Sequence, residues 1–271
     1  MSHPSHPVAG MPAVFSPKSL RYEYELYVEQ EIEYYKGSIP RVALLRIGDE
    51  AVTSLQQQEQ TSFDEILLWA EVDRIIRNRL RVPAFNAWKR RRLRRLEEYR
   101  RPERWGLTND GPLVSAIRTR EHAHVLVAGA RAEGPAIFLA ANGCQVTALN
   151  DDPDLVDRVI HVAGEAGLIS RFTQCASALE RFEPAPDAPL TAVFCTSDAL
   201  QRLPIHERTR VINTLKSATL DGGVHLVQTI AAGTSAALSL DELTSQYLGW
   251  ATSVVPDRNA DQVFLARKLV A

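Results

Sequence analysis

The chain has 271 residues, 45% of them hydrophobic and 24% charged, with a net charge of −2. That composition suits a globular protein with a sizeable core, the charge advertises no particular partner, and no run of 18 apolar residues exists to make a membrane-spanning helix. The charge is uneven. Residues 1–120 hold 20 Lys and Arg against 16 Asp and Glu, whereas residues 121–271 hold 11 against 17, which points to two structural units. The opening MSHPSHPVAGMP has no apolar core of a signal peptide, and residues 1–15 are expected to form a disordered tail.

Residues 16–105 read as an all-helical domain. Ser16 and Pro17 form a helix start, and Leu20, Tyr24, Tyr27, Val28, Ile32 and Tyr35 then share one face until Gly37. A second helix is expected from about Pro40 to Gln57. A third opens on the capping box of Ser62 and Glu65 and buries Leu68, Trp69, Val72, Ile75, Ile76 and Leu80 before Pro83. A fourth spans about 84–101, and the stretch RPERWGLTNDGP that follows is the expected domain boundary.

From residue 111 the pattern alternates. A short helix at 113–118 precedes a strand at 125–128. A glycine-bearing turn, an apolar helix at 136–141 and a second strand at 146–149 follow, ending on Asn150, Asp151 and Asp152. Next come a helix at 153–166, strands at 171–175 and 190–196, and a helix at 205–218. Asp221, Gly222 and Gly223 read as a turn into a strand at 224–229. The capping box of Ser239 and Glu242 opens a last helix, and strands at 251–255 and 262–269 flank a polar loop with Pro256, Asp257 and Asn259, the spacing of an antiparallel pair.

The stretch HVLVAGARAEGPAIFLAANGCQVTALNDD resembles motif I of the class I S-adenosylmethionine (SAM) methyltransferases, usually VLDLGCGxG before a helix and a strand ending in an acid. LKSATLDGGVHLVQ is similar to the family's helix, LkPGG and strand segment. Over about residues 111–271 the resemblance implies an α/β, Rossmann-like, doubly wound sheet of seven strands, five parallel and closed by an antiparallel pair, with the helical domain appended.

The same resemblance implies a SAM site formed by Gly129, Ala130, Arg131, Glu133, Gly134, Asn150, Asp151, Ser177 and Thr196. Motif I is divergent. Gly129 matches its first glycine, but Val127 stands where an acid belongs, Arg131 and Glu133 replace glycines, and Gly134 comes one position late. Asn150, with Asp151 beside it, takes the place of the ribose-binding acid, and Ser177 lies where an acid often follows the third strand. A side chain at a position that needs positive φ costs about 1–2 kcal/mol. In compensation Arg131 could pair with the methionine carboxylate and Asp151 could reach the ribose. Asp198, after the fourth strand, is expected either as a helix N-cap or beside the ligand.

Elsewhere the residues carry less chemistry. Cys144, Cys175 and Cys195 are far apart, with no CxxC, and suit small buried hydrophobes of a reducing cytoplasm. His122 and His124 have no third metal ligand near in sequence, so no metal site is expected. The basic run from Lys89 to Arg95 suits either a solvated, acid-paired face or phosphate binding; Glu97 is expected to pair with Arg101 and Glu98 with Arg94. Tyr22, Tyr24, Tyr27, Tyr34 and Tyr35 suit core packing or a lid. The expectation is a cytoplasmic SAM-dependent methyltransferase-like protein acting on a small molecule. The alternatives are a non-catalytic pseudo-methyltransferase serving as a binding or scaffold protein and, third, an RNA-binding or RNA-modifying protein. No membrane partner is expected, and self-association through the N-terminal helices remains open.

Overall fold

The structure, a computed structural model, describes residues 19–57, 65–118, 123–175, 177–229, 238–256 and 262–270. The expected tail, the helix start at Ser16, the caps at Ser62 and His122, Asp257 and Asn259 lie outside the described residues. The chain divides into two compact units, 1–91 and 92–271.

In the first unit α1 (Leu20–Ser38) starts on Ser19, whose Oγ accepts the Tyr22 N–H at 3.2 Å. It is followed by α2 (Arg41–Gln57) and α3 (Glu65–Arg79). Their apolar stripes meet in a core of Ile32, Ile47, Ala51, Val72, Ile75 and Ile76. The tyrosines of α1 divide. Tyr24 is buried against Phe85 and Trp88, and its hydroxyl donates to Pro83 O at 3.0 Å; Tyr27 stacks on Trp88; Tyr22 and Tyr34 are exposed. Trp69, expected inside, is exposed and lies beneath the Lys36 ammonium.

The division between units falls inside α4 (Phe85–Tyr99), earlier than the stretch RPERWGLTNDGP. The physical reason is packing. Leu96, Tyr99 and Trp105 belong to the core of the second unit, where the Tyr99 hydroxyl donates to Glu165 Oε2 at 3.0 Å and Arg100 Nε donates to Ala141 O at 3.0 Å. Leu93 is exposed.

The second unit is a doubly wound α/β domain. Its elements in chain order are α5 (Pro112–Ile117), β1 (His124–Ala128), α6 (Glu133–Ala141), β2 (Gln145–Leu149), α7 (Pro153–Ala166), β3 (Phe172–Cys175), β4 (Leu190–Cys195), α8 (Ser197–Gln201), α9 (Ile205–Ala218), β5 (Thr219–Thr229), α10 (Leu240–Gln246), β6 (Trp250–Pro256) and β7 (Gln262–Lys268). The strands form one seven-stranded sheet in the order β3-β2-β1-β4-β5-β7-β6; the first five pair in parallel, and β7 runs antiparallel between β5 and β6. That is the layout implied by the sequence resemblance.

Alternation along the strands builds two cores. Val125, Val127, Val146 and Phe194 face α6 and α7, whereas Leu126, Ala128, Val193 and Cys195 face α8 and α9. Near-continuous apolar strands are what a sheet covered on both faces requires. Two elements differ from expectation. Asp221, Gly222 and Gly223 form no separate turn: β5 runs from Thr219, and the parallel register with β4 shifts between Leu190 and Ala192, so the glycines sit in an irregularity that the strand absorbs. The short α8 is an element the sequence did not announce.

Candidate functional site at the carboxyl ends of the central strands

The strand order reverses at β1. The chain winds from β1 out to β2 and β3, then returns to place β4 on the other side of β1. In an open doubly wound sheet the carboxyl ends of the strands at such a reversal frame the ligand crevice. Gly129 follows β1 there with φ +113°, a conformation L side chains avoid. A Cβ at Gly129 would stand 1.8 Å from Thr196 Oγ1, so no side chain fits.

On the β2 side of this turn lies a crevice walled by Gly129, Ala130, Ala132, Glu133, Ala136, Ala148, Leu149, Asn150, Leu155, Val156 and Val159. It is an apolar slot with a single amide and a single carboxylate. As it stands it encloses about 20 Å³, room for a water molecule or two and far below the several hundred Å³ of a drug-sized ligand site.

The polar groups around the turn are held by the chain itself. Asn150 Nδ2 donates to Gly129 O at 3.2 Å, and its Oδ1 accepts the Asp152 N–H at 2.9 Å. Asp151 is exposed and receives both its carboxylate contacts, at 2.7 Å each, from Arg202 Nη1; that hydrogen bond, more than the charge alone, holds its carboxyl below the usual range. On the β4 side Asp198 Oδ2 accepts the Ala130 N–H at 2.8 Å and Oδ1 accepts the Thr196 hydroxyl at 2.6 Å. Asp198 therefore ties the β1 turn to β4. The N-cap position of α8 belongs to Thr196, so the capping role weighed for Asp198 is not the one it takes.

Of the residues singled out in the sequence, the fold brings Gly129, Ala130, Glu133 and Asn150 to the crevice. Thr196 closes the space in front of Gly129. Arg131 is exposed, and Ser177 donates to Ala178 O at 3.3 Å beyond the end of β3. Gly134 serves packing: a Cβ there would stand 3.3 Å from Trp105. Val127 is fully buried in the core. Sequence reasoning missed the α7 wall, although Leu155, Val156 and Val159 have helical spacing, and missed Arg202, which no local pattern marks.

Among the described residues no cluster of three or more His, Cys, Asp or Glu could hold a metal ion, and Cys144 and Cys195 are buried. Burial pushes the Cys144 thiol up to about 11 and the Cys195 thiol to about 12, so both stay protonated at neutral pH. His124 has both ring nitrogens engaged, with Ala188 O at 2.9 Å and Thr147 Oγ1 at 2.8 Å. Three arginines of the basic helix have partners within the second unit. Arg94 pairs with Glu98, Arg95 with Glu165 at 3.4 Å, and Arg92 donates to Gly167 O at 3.4 Å. Glu97 pairs with Arg100, not Arg101, at 3.6 Å.

No protein-family model and no curated protein matches the chain. Solved methyltransferase structures resemble it. An O-methyltransferase family 2 protein from Planctomyces limnophilus, in complex with apigenin, is 14% identical, with 58% of this chain and 57% of that one covered and a TM-score of 0.44. The N-methyltransferase NodS from Bradyrhizobium japonicum is 12% identical over 60% of this chain and 100% of its own, with a TM-score of 0.48. Magnesium protoporphyrin IX methyltransferase from Synechocystis, with bound S-adenosylhomocysteine, is 16% identical over 57% of this chain and 78% of its own, with a TM-score of 0.46. This chain thus spans just over half the length of the first. Likeness at this level says nothing of activity.

Proposed function

We propose that the second unit binds SAM and belongs to a methyltransferase-like protein acting on a small molecule in the cytoplasm. The observation that carries this reading is the apolar crevice at the carboxyl ends of β1 and β2, set beside a glycine turn at the reversal of the sheet. The residues fit an adenosyl group in chemical type. Ala132, Ala136, Leu155 and Val156 would cover a purine, and Asn150 with Asp151 would meet ribose hydroxyls. When bound, SAM would supply an electrophilic methyl group to a nucleophile of the substrate. The chain's own contribution is then binding and orientation, which needs no side-chain base.

Asp151 must exchange Arg202 for the ribose in this reading. Calorimetric titration with SAM and S-adenosylhomocysteine tests it. Wild-type protein should bind both, and Asp151→Ala should bind at least about tenfold more weakly, since a hydrogen bond to a charged group contributes roughly 1.5–3 kcal/mol. A wild type that ignores saturating SAM sinks the proposal.

The second reading, a non-catalytic scaffold on the same fold, is favoured by the closed crevice and by the internal partners of Asp151 and Asp198. It expects no rise in melting temperature with SAM, although any ligand of the native state must produce one.

A further inference from the structure

The sheet has two edges, and they are finished differently. β3 closes one with four residues, too short to template a long pairing. β6 closes the other with seven, and pairs along its inner side with β7 in a register that runs unbroken from Trp250 opposite Lys268 to Pro256 opposite Gln262. Among the described residues no strand pairs with its outer side. A free edge of that length presents a row of backbone N–H and C=O groups, which proteins ordinarily blunt with a lysine, a bulge or an interior proline. β6 has none of these. Its sequence WATSVVP carries no charge, its register with β7 has no shift, and its proline is the last residue. Ala251, Thr252, Ser253 and Val254 are exposed. Apolar surface gathers at the same edge. Leu248, two residues before β6, is 79% exposed, and Leu269 and Val270, directly after β7, are 57% and 78% exposed.

We propose that a second copy of this chain covers this edge, its β6 antiparallel to the first about a two-fold axis, so that the two sheets join into one. Full overlap of the seven residues sets the axis at Ser253, the fourth of them. Ser253 then faces its own twin, Thr252 faces Val254, Ala251 faces Val255, and Trp250 faces Pro256. Charge decides for a second copy. A two-fold contact sets one patch against itself, so a charged side chain near the axis would meet its like. An uncharged strand avoids that conflict, whereas a partner recognised by charge would find nothing on β6 to read. Residues 121–271 hold 11 Lys and Arg against 17 Asp and Glu, so copies of this unit repel one another, and a self-contact is favoured where charge is absent. Each copy offers one such edge, and the pairing stops at two.

Sedimentation velocity of the full chain over a dilution series tests this. The wild type should be a dimer that dissociates on dilution. Ser253→Lys and Ser253→Glu each set like charges on the axis and should raise the dissociation constant by about tenfold or more, since such juxtaposition costs several kcal/mol. An equimolar mixture of the two variants should restore the dimer. Hydrogen exchange of the wild type needs no variant: amides of β6 should exchange more slowly as concentration rises. A wild type that stays monomeric at every concentration overturns the proposal, as does one that grows into oligomers of no fixed size. A dimer that both variants leave untouched, or concentration-dependent protection confined to the N-terminal helices, puts the contact elsewhere and overturns it as well.

Discussion

His225 lies fully buried in β5, with Nε2 2.8 Å from Thr219 Oγ1, Nδ1 2.9 Å from the Tyr247 hydroxyl, and the Trp250 ring against its edge. Burial, then the charges of Lys216 and Lys268, push its pKa down to about 3. In the unfolded chain a histidine takes up its proton near pH 6.5. Its depressed folded value therefore contributes stability that is complete above pH 6.5 and is lost as pH falls toward 3. The melting temperature of the protein should drop across that window, and His225→Asn should flatten the drop; an unchanged slope would exclude His225 as its source. Glu71 acts later. The Arg74 hydrogen bond holds it at about 2, so its share of the first unit's stability is lost only between pH 4.5 and 2. At Gly129 the argument is steric. Gly129→Ala places a methyl group on Thr196 and keeps a positive φ, so urea denaturation should show a loss of about 2 kcal/mol or more.

At the scale of elements, Arg208 organises the side of the sheet behind β4. Its Nε donates to Leu200 O at 3.0 Å, one Nη to Leu203 O at 3.0 Å, and the other to Glu242 at 2.6 Å. One guanidinium thus satisfies carbonyls around the end of α8, anchors α9 and ties α10 to both. Removing one partner of such a buried pair leaves the other uncompensated, which costs about 3–5 kcal/mol. Arg208→Met should therefore destabilise by several kcal/mol in chemical denaturation, and Glu242→Gln by less, because the carbonyl bonds survive. In α4 the internal partners of Arg92, Arg94 and Arg95 predict weak nucleic-acid binding. Arg95→Ala, which breaks the exposed pair with Glu165, should change stability by less than about 1 kcal/mol. RNA binding that is tight at low salt, falls steeply with salt and is abolished by replacing Arg90, Arg91 and Arg94 would instead favour a phosphate-binding role.

At the scale of the whole molecule, the place of the division matters. Tyr99 is 2% exposed and Trp105 packs on the same core, with Nε1 donating to Tyr99 O at 2.9 Å. A fragment of residues 106–271 loses Leu96, Tyr99 and Trp105, each burying apolar surface that contributes roughly 1.5–3 kcal/mol. It should melt well below a fragment of residues 92–271, or remain unfolded. Equal melting temperatures would show that the end of α4 contributes nothing to the sheet domain.

What the sequence determined by itself was local and periodic. The strands expected at 125–128 and 190–196, the glycine after the first of them, and the helix at 205–218 were all legible, because strand and helix periods are written into neighbouring residues. So were Gly129 and Asn150 at the crevice, since both follow directly from where strands end. The tertiary structure alone decided the rest. It placed Asp198 on Ala130 N–H across 68 positions of chain and Arg202 on Asp151 across 51. It turned Gly134 toward Trp105 and set the unit boundary inside a continuous helix. Side-chain pairing between strand ends depends on strand order, and strand order is fixed by packing helices on both faces of one sheet, a constraint that no stretch of neighbouring residues contains.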